Sequence, residues 1–169
     1  YDISSNQIEA ILGNELDDIF VSGLTDNELS SPILPAKPWA SILLDNSRSE
    51  ISKKSEVPIL NVPWELLALL VYSKEQGILT REGIVPMGCK YLLSTDEDFS
   101  TFDKKMGWLS KTAELEGFTP ADSSSVEEVI DAIISEKLDF IKDKGMASIG
   151  PLMGMAMAKL GGSADGKLV

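Results

Sequence analysis

Apolar residues recur at helical spacing from the start of the chain. The residues on one face of a predicted first helix are Ile8, Ile11, Leu12, Leu16, Ile19 and Phe20. Asn6 and Glu9 have the spacing of a capping box at the start of that helix. The proline and glycine residues between Ser22 and Pro38 then predict turns around at most one short helix.

The pattern predicts several more helices in the middle of the chain. Trp39–Asn46 is apolar enough for a short helix, whereas the polar residues 46–56 are expected to form a loop. Pro63 suits the first turn of a helix that ends near Gly77. Thr80–Leu93, interrupted by Gly and Pro, and Phe99–Leu115 also have helical spacing. Since Val57–Val62 is the only candidate strand, we predict an all-α fold.

A turn-rich segment divides the chain into two predicted units. Gly117–Ser125 contains Gly, Pro and consecutive serines, which are typical of a linker. Ser125 and Glu128 would form a capping box for the next helix. The residues on the apolar face of that helix are Val126, Val129, Ile130, Ile133, Ile134, Leu138 and Ile141, all expected to be buried. We predict a helical domain at residues 1–118 and a tail domain at residues 119–169.

Small residues mark the following stretch. Gly150 and Gly154 lie four residues apart, and Ala158 continues the same helix face, so a close helix–helix contact is expected there. Gly161 and Gly162 would end the helix, and Ser163 or Asp165 could cap the next one.

Composition excludes several kinds of chemistry. The 169 residues contain no histidine and one cysteine, Cys89, which rules out imidazole catalysis, an internal disulfide and a Cys-rich zinc site. The formal charge of −12 opposes a nucleic-acid contact over the whole surface. No stretch has the length and apolarity of a membrane span, so a cytoplasmic protein is expected. Tyr1 in place of an initial Met, and the stop at Val169, suggest a piece of a longer protein.

Charge is unevenly distributed along the chain. Residues 1–60 hold ten acids and four bases, whereas residues 137–169 hold five lysines and three aspartates. The C-terminal part is therefore locally positive.

Candidate catalytic and metal-binding motifs fail on chemical grounds. The acids Asp96, Glu97, Asp98 and Asp103 lack the glycine and the bidentate glutamate of a calcium loop, so they are interpreted as charges at a helix start. The run Gly161–Leu168 matches only part of a phosphate loop, because Leu168 replaces the hydroxyl that binds magnesium. We therefore predict no catalytic residue and no metal site in this chain.

The same C-terminal glycines suit a simpler contact with phosphate. A glycine turn exposes backbone N–H groups at a helix start, and Lys159 and Lys167 flank it. Close helix packing and phosphate contact are compatible interpretations of this stretch.

The C-terminal sequence resembles a known signature. Gly150–Met157, Gly162 and Ala164–Val169 look like the C-terminal signature of the GatB/YqeY superfamily, and the variants Gly-Pro-Leu-Met-Gly and Ala-Asp-Gly-Lys are more similar to the archaeal GatE form than to GatB. Members often carry basic residues at the positions of Gly161 and Ser163, which are uncharged here.

The resemblance implies an all-α multi-helix domain followed by a small three-helix tail. It implies a non-catalytic, tRNA-binding part of a ligase of protein biosynthesis, which converts Glu-tRNA(Gln) to Gln-tRNA(Gln) with ammonia from a glutaminase-type partner subunit. ATP and Mg²⁺ would be used in a separate catalytic domain. The residues expected to contact RNA are Lys142, Lys144, Lys159, Gly161, Gly162, Ser163, Gly166 and Lys167.

A second interpretation stays open at this point. The chain could be a free-standing YqeY-like helical module that binds another protein. The apolar, proline-rich start with Ile33, Leu34 and Trp39 would then dock the partner chain.

Overall fold

The structure, a computed structural model, describes residues 3–26, 28–120 and 123–159, and this part of the chain is all-α as predicted. Its α-helices are α1 Ser5–Gly13, α2 Asp17–Gly23, α3 Ala36–Leu44, α4 Ser47–Ser55, α5 Trp64–Glu75, α6 Ile84–Leu93, α7 Phe102–Leu115, α8 Ser123–Glu136, α9 Leu138–Lys144 and α10 Ile149–Lys159. Short 3₁₀ turns occupy Ile59–Asn61 and Gly145–Ser148. Over these residues, no helix has the length and apolarity needed to cross a membrane.

The first apolar stretch forms two helices where the pattern predicted one. Glu15 has a φ of 56°, a left-handed conformation that interrupts the helix between α1 and α2. The break allows both Ile11 and Phe20 to reach the core, where they are 3% and 8% exposed. The prediction of a single helix was wrong. The 3.6-residue spacing of the apolar residues is also compatible with two short helices, α1 and α2, that both turn their apolar residues toward the core.

The capping box of α1 lies two residues earlier than predicted. The Ser4 hydroxyl accepts a hydrogen bond from the Gln7 amide at 3.3 Å, and the Gln7 side chain accepts one from the Ser4 amide at 3.1 Å. Asn6 and Glu9 lie inside the helix. Serine and glutamine thus satisfy two of the N–H groups that a helix start leaves unpaired.

Trp39 lies at the centre of the packing around α3. Its side chain is 0% exposed, and its Nε1 donates to the carbonyl oxygens of Ile19 at 3.3 Å and Phe20 at 3.2 Å. A Cβ at Gly23 would lie 2.1 Å from the same Nε1, so the indole rests directly on the α2 backbone. Leu34 is also buried at 2% exposure. Two of the three residues expected to dock a partner chain therefore belong to the core.

Residues 46–56, predicted to be a loop, contain helix α4. The Asp45 carboxylate accepts a hydrogen bond from the Ser47 amide at 2.8 Å, which satisfies an N–H at the helix start. Ile51 is the one fully buried apolar side chain of the helix, and a Cβ at Gly88 of α6 would lie 2.5 Å from its Cδ1. One apolar residue gives no periodicity, so the sequence pattern could not reveal a helix fixed by packing against α6.

Helices α5 and α6 follow the sequence more closely. Pro63 directly precedes α5, and Gly77 with a φ of 70° follows its end, as the helix signals predicted. Helix α6 is continuous from Ile84 because Pro86 falls in the first turn, where its missing N–H has no intrahelical partner to lose. The candidate strand Val57–Val62 contains the 3₁₀ turn Ile59–Asn61.

The long C-terminal helix predicted from residue 125 to 144 is divided at Lys137 into α8 and α9. Ser125 lies inside α8, so it is not the cap of that helix. Ile133 is buried at 3% exposure, whereas Ile134 and Leu138 of the predicted buried face are 41% and 47% exposed. The prediction of helical structure was correct. The prediction that the whole apolar face is buried was not, because among the described residues too few side chains pack against it.

The glycine stripe of α10 makes no close helix contact in the described part of the chain. A Cβ at Gly150 or Gly154 would meet nothing within 4 Å, and Ala158 is exposed. Ala156, on another face of the same helix, is buried at 3% exposure. The expected tight packing through Gly150 and Gly154 is therefore absent among the described residues, and the segment after α10 lies outside them.

The main core is built from residues of α1 to α7 and their connections. It runs from Ile11 to Ala113, and Phe118 packs against it while accepting a hydrogen bond from the Thr80 amide at 2.7 Å. Ile133 and Ala156 are buried outside this cluster. The division into residues 1–118 and 119–169 stays a prediction.

Gly23→Ala should destabilise the protein by about 1–3 kcal/mol, because the added methyl group would overlap the rigid indole of Trp39. Gly13→Ala is the matched control, since a Cβ there meets nothing within 4 Å. Urea unfolding followed by circular dichroism measures both variants. Equal midpoints for the two variants would show that the indole does not rest on Gly23.

Candidate nucleic-acid interface

Lys142 and Lys144 lie in the last turn of α9. Both side chains are exposed, and Lys144 Nζ lies 4.0 Å from Asp143 Oδ2. Lysines in this position also complement the negative end of the helix dipole. Their arrangement is compatible with contact to an anion and with simple stabilisation of the helix end.

Lys159 ends α10 and is joined to the end of α8. Its Nζ lies 3.6 Å from Glu136 Oε2, while Lys137 Nζ lies 3.0 Å from Glu136 Oε1. One carboxylate therefore holds two ammonium groups from separate helical elements. We call Glu136, Lys137 and Lys159 the junction cluster.

The electrostatics of the junction cluster favour the charged carboxylate. The hydrogen bond from Lys137, followed by the charges of Lys137 and Lys159, holds the pKa of the Glu136 carboxyl below its ordinary value. All three side chains reach solvent, with 57%, 37% and 49% of their surface exposed in sequence order. The cluster carries a net charge of +1 at neutral pH.

The structure divides the predicted lysine set into two groups. Lys137 precedes α9 and Lys144 ends it, so the junction cluster and the Lys142–Lys144 pair lie about 10 Å apart along the helix axis. Sequence reasoning counted Lys137 among the C-terminal lysines but did not assign it to the interface. The adjacent Glu136 could have drawn attention to it, but the contact with Lys159 requires the packing of α8 with α10.

The remaining residues expected to contact RNA cannot be placed. Gly161, Gly162, Ser163, Gly166 and Lys167 lie outside the described residues. Their roles stay predictions.

An apolar groove of about 210 Å³ lies between α8 and α10. Its lining residues are Ile130, Ile133, Ile134, Ile149, Leu152, Met153 and Ala156. This groove corresponds to much of the helix face that was expected to be buried. The polar junction cluster lies at the ends of the same two helices.

Two of the four acidic residues interpreted as charges at a helix start lie at the start of α7: Asp103 is in its first turn, and Asp98 precedes it. Asp98 accepts hydrogen bonds from Lys104 Nζ and from the Ser100 amide, the latter at 3.0 Å. Thr101 caps α7 by accepting from the Lys104 amide at 3.3 Å. Among the residues described, no group of three or more Asp, Glu or Cys side chains is arranged to hold a metal ion.

Comparison with known proteins relates the chain to one family. The profile of the GatB domain, GatB_Yqey, matches residues 37–169. The E-type subunit of glutamyl-tRNA(Gln) amidotransferase from Thermococcus gammatolerans is 29% identical over 169 residues, which are 100% of this chain and 24% of that protein. Its counterpart from Methanocaldococcus jannaschii is 37% identical over 94 residues, 56% of this chain and 13% of that protein.

One shorter alignment has a higher sequence identity. The protein of the same name from Thermococcus sibiricus is 51% identical over 59 residues, 35% of this chain and 9% of that protein. The chain thus spans 24% of the length of the relative that it matches from end to end. No solved structure matches the chain significantly.

Lys137→Gln should raise the pKa of the Glu136 carboxyl, because the hydrogen bond that stabilises its charged form is lost. An NMR pH titration of the side-chain carboxyl carbon measures this, with Lys111→Gln on α7 as the control. An unchanged Glu136 pKa in Lys137→Gln would contradict the ion pair.

The lowered pKa of Glu136 also gives the sign of its contribution to the pH dependence of stability. Since folding lowers this pKa, the pair stabilises the fold above the unfolded-state pKa, and that contribution is lost as pH falls through the folded-state pKa.

Proposed function

Because this chain belongs to the GatB/YqeY family, we propose that it is the tRNA-binding appendage of a glutamyl-tRNA(Gln) amidotransferase. In this proposal it positions misacylated Glu-tRNA(Gln) for amidation in a separate catalytic domain of a longer, cytoplasmic enzyme. A glutaminase-type partner subunit supplies the ammonia there. The chemistry that uses ATP and Mg²⁺ is assigned to that domain.

The observation that carries the proposal is the coincidence of family signature and positive charge. The profile match extends through the C-terminal part of the chain. Residues 137–169 of that part contain five lysines and three aspartates, whereas the whole chain has a net charge of −12. Lys142, Lys144 and Lys159 all have solvent-exposed side chains there. These exposed lysines, on an otherwise acidic protein, support contact with RNA phosphate at the ends of α9 and α10.

The expected strength of this contact is low. Two to four lysine–phosphate contacts give a salt dependence of only about −0.7 to −0.9 per contact, which corresponds to weak binding. A tether to a catalytic body raises the effective concentration to about the millimolar range. Weak contacts in the appendage then suffice to favour the correct orientation of tRNA without reading its bases.

The alternative, a free-standing protein-interaction module, has less support. Leu34 and Trp39, two of its three proposed docking residues, are buried at 2% and 0% exposure. The apolar groove between α8 and α10 is the feature that still favours it. Capture of a partner chain after ribonuclease treatment would distinguish this alternative from the RNA-binding role.

Replacing Lys159 and Lys167 together by Glu should raise KM for Glu-tRNA(Gln) about tenfold with little change in kcat, since two exposed contacts contribute about 1–2 kcal/mol. The purified amidotransferase that contains this chain is the enzyme to assay. Lys53→Glu with Lys111→Glu changes the total charge equally on α4 and α7 and is the matched control. Equal KM values for the two double variants would refute the assigned roles.

The 169-residue chain alone should bind tRNA with a dissociation constant of about 1 µM or weaker at physiological salt. Its affinity should fall with salt at a logarithmic slope of about −1.5 to −3.5, as expected for two to four contacts. Filter binding at several salt concentrations measures both quantities. Nanomolar binding that resists salt would contradict a weak, phosphate-based contact.

A further inference from the structure

We propose that Lys137 is a further RNA-phosphate contact and that Glu136 is a positioning residue that holds Lys137 and Lys159 beside each other. This inference rests on the proposed function and deepens it. It assigns the junction cluster to one stretch of RNA backbone, separate from the Lys142–Lys144 pair at the other end of α9.

The geometry of the junction cluster supports this assignment. Glu136 Oε1 lies 3.0 Å from Lys137 Nζ, and Oε2 lies 3.6 Å from Lys159 Nζ. Each carboxylate oxygen therefore faces a different ammonium group. The two lysines are 22 positions apart in sequence, yet they meet at one point on the surface.

The backbone on which these side chains stand is fixed by hydrogen bonds. The Lys137 amide donates to the Ile133 carbonyl at 2.9 Å, and the Ile141 amide donates to the Lys137 carbonyl at 3.0 Å. Ile133 and Ala156, at 3% exposure each, line the contact between α8 and α10 close to the cluster. Lys137, which directly follows α8, and Lys159, which ends α10, thus stand at the ends of two helices that bury Ile133 and Ala156.

Glu136 has two opposite effects on RNA binding. By holding the lysines in place it favours binding, whereas its negative charge opposes binding, so the two effects can be separated by experiment. The negative charge of Glu136 repels phosphate, but the two positive charges of Lys137 and Lys159 leave the cluster attractive to phosphate. A lysine side chain is flexible, so holding its ammonium group in place before binding reduces the entropy that binding costs. Water and salt screen the repulsion more strongly than the ion pairs, because a phosphate that contacts the ammonium groups lies farther from the Glu136 carboxylate than the 3.0 and 3.6 Å of the ion pairs. We infer that the positioning effect is the larger one.

A purely structural role for the same contacts would give a different result. If Glu136 only joined the ends of α8 and α10, its loss would slightly change stability and leave RNA binding intact. Exposed ion pairs of this kind contribute little to stability. Glu136→Gln should therefore remain folded, and its effect on tRNA can be read separately from its melting temperature.

The test compares variants of the complete amidotransferase that contains this chain. Glu136→Gln and Lys137→Gln should each raise KM for Glu-tRNA(Gln) about three- to tenfold with kcat unchanged. Lys137→Gln should also reduce the salt slope of tRNA affinity by about 0.7–0.9, as expected for one lost phosphate contact. Lys137→Arg should restore KM, and the melting temperature of every variant should stay within about 2 °C of the wild type.

Matched controls separate positioning from general charge. Glu128→Gln removes the same negative charge as Glu136→Gln from an exposed position on α8, and Lys111→Gln removes the same positive charge as Lys137→Gln from an exposed position on α7. Glu128→Gln should lower KM slightly or leave it unchanged, because it only removes a repulsive charge. If Glu136→Gln behaves like Glu128→Gln, Glu136 does not position the lysines and the inference is overturned.

Lys159→Gln distinguishes failure of this inference from failure of the proposed function. A raised KM for Lys159→Gln together with wild-type values for Lys137→Gln and Glu136→Gln overturns the inference and leaves the proposed function standing. Wild-type KM and salt slope in all three variants overturn the inference and contradict the proposed interface as well.

Discussion

The fully buried indole of Trp39 is the contact on which the arrangement of the first helices depends. It lies on the backbone of Gly23, the last residue of α2, and donates to the carbonyl oxygens of Ile19 and Phe20 in the middle of that helix. Helices α1 and α2 contain nine and seven residues, too few for stable isolated helices in water. Packing around Trp39 orders them and connects them, through α3, to the apolar helix α5.

The helix-forming pattern was readable from sequence wherever several apolar residues share a face or a strong terminator is present. Helix α5, between Pro63 and Gly77, is the best example. Helix α4 was missed because its one buried apolar side chain, Ile51, is fixed by α6 rather than by local periodicity. Trp39 was recognised as apolar, but only the tertiary structure shows whether such a residue faces a partner or the core.

The sequence shows that lysines are concentrated in the C-terminal part, but it does not show which lysines lie next to each other in space. The excess of lysine after residue 136 is visible in the sequence. The pairing of Lys137 and Lys159 on one carboxylate depends on a contact between α8 and α10 across more than twenty residues. An ion pair between residues so far apart leaves no pattern in the local sequence, so it can be identified only from the tertiary structure.

The sparse burial in residues 123–159 has a consequence for dynamics. Among the side chains described there, only Ile133, Ser148 and Ala156 are buried, whereas α5 alone buries seven. With so little apolar surface removed from water, the amide hydrogens of α8 and α10 should exchange with solvent more readily than those of α5. A ligand that binds only the folded arrangement of α8 and α10 stabilises that arrangement by mass action. Occupancy by RNA would therefore register as slower hydrogen exchange along both helices, far beyond the few residues that touch phosphate.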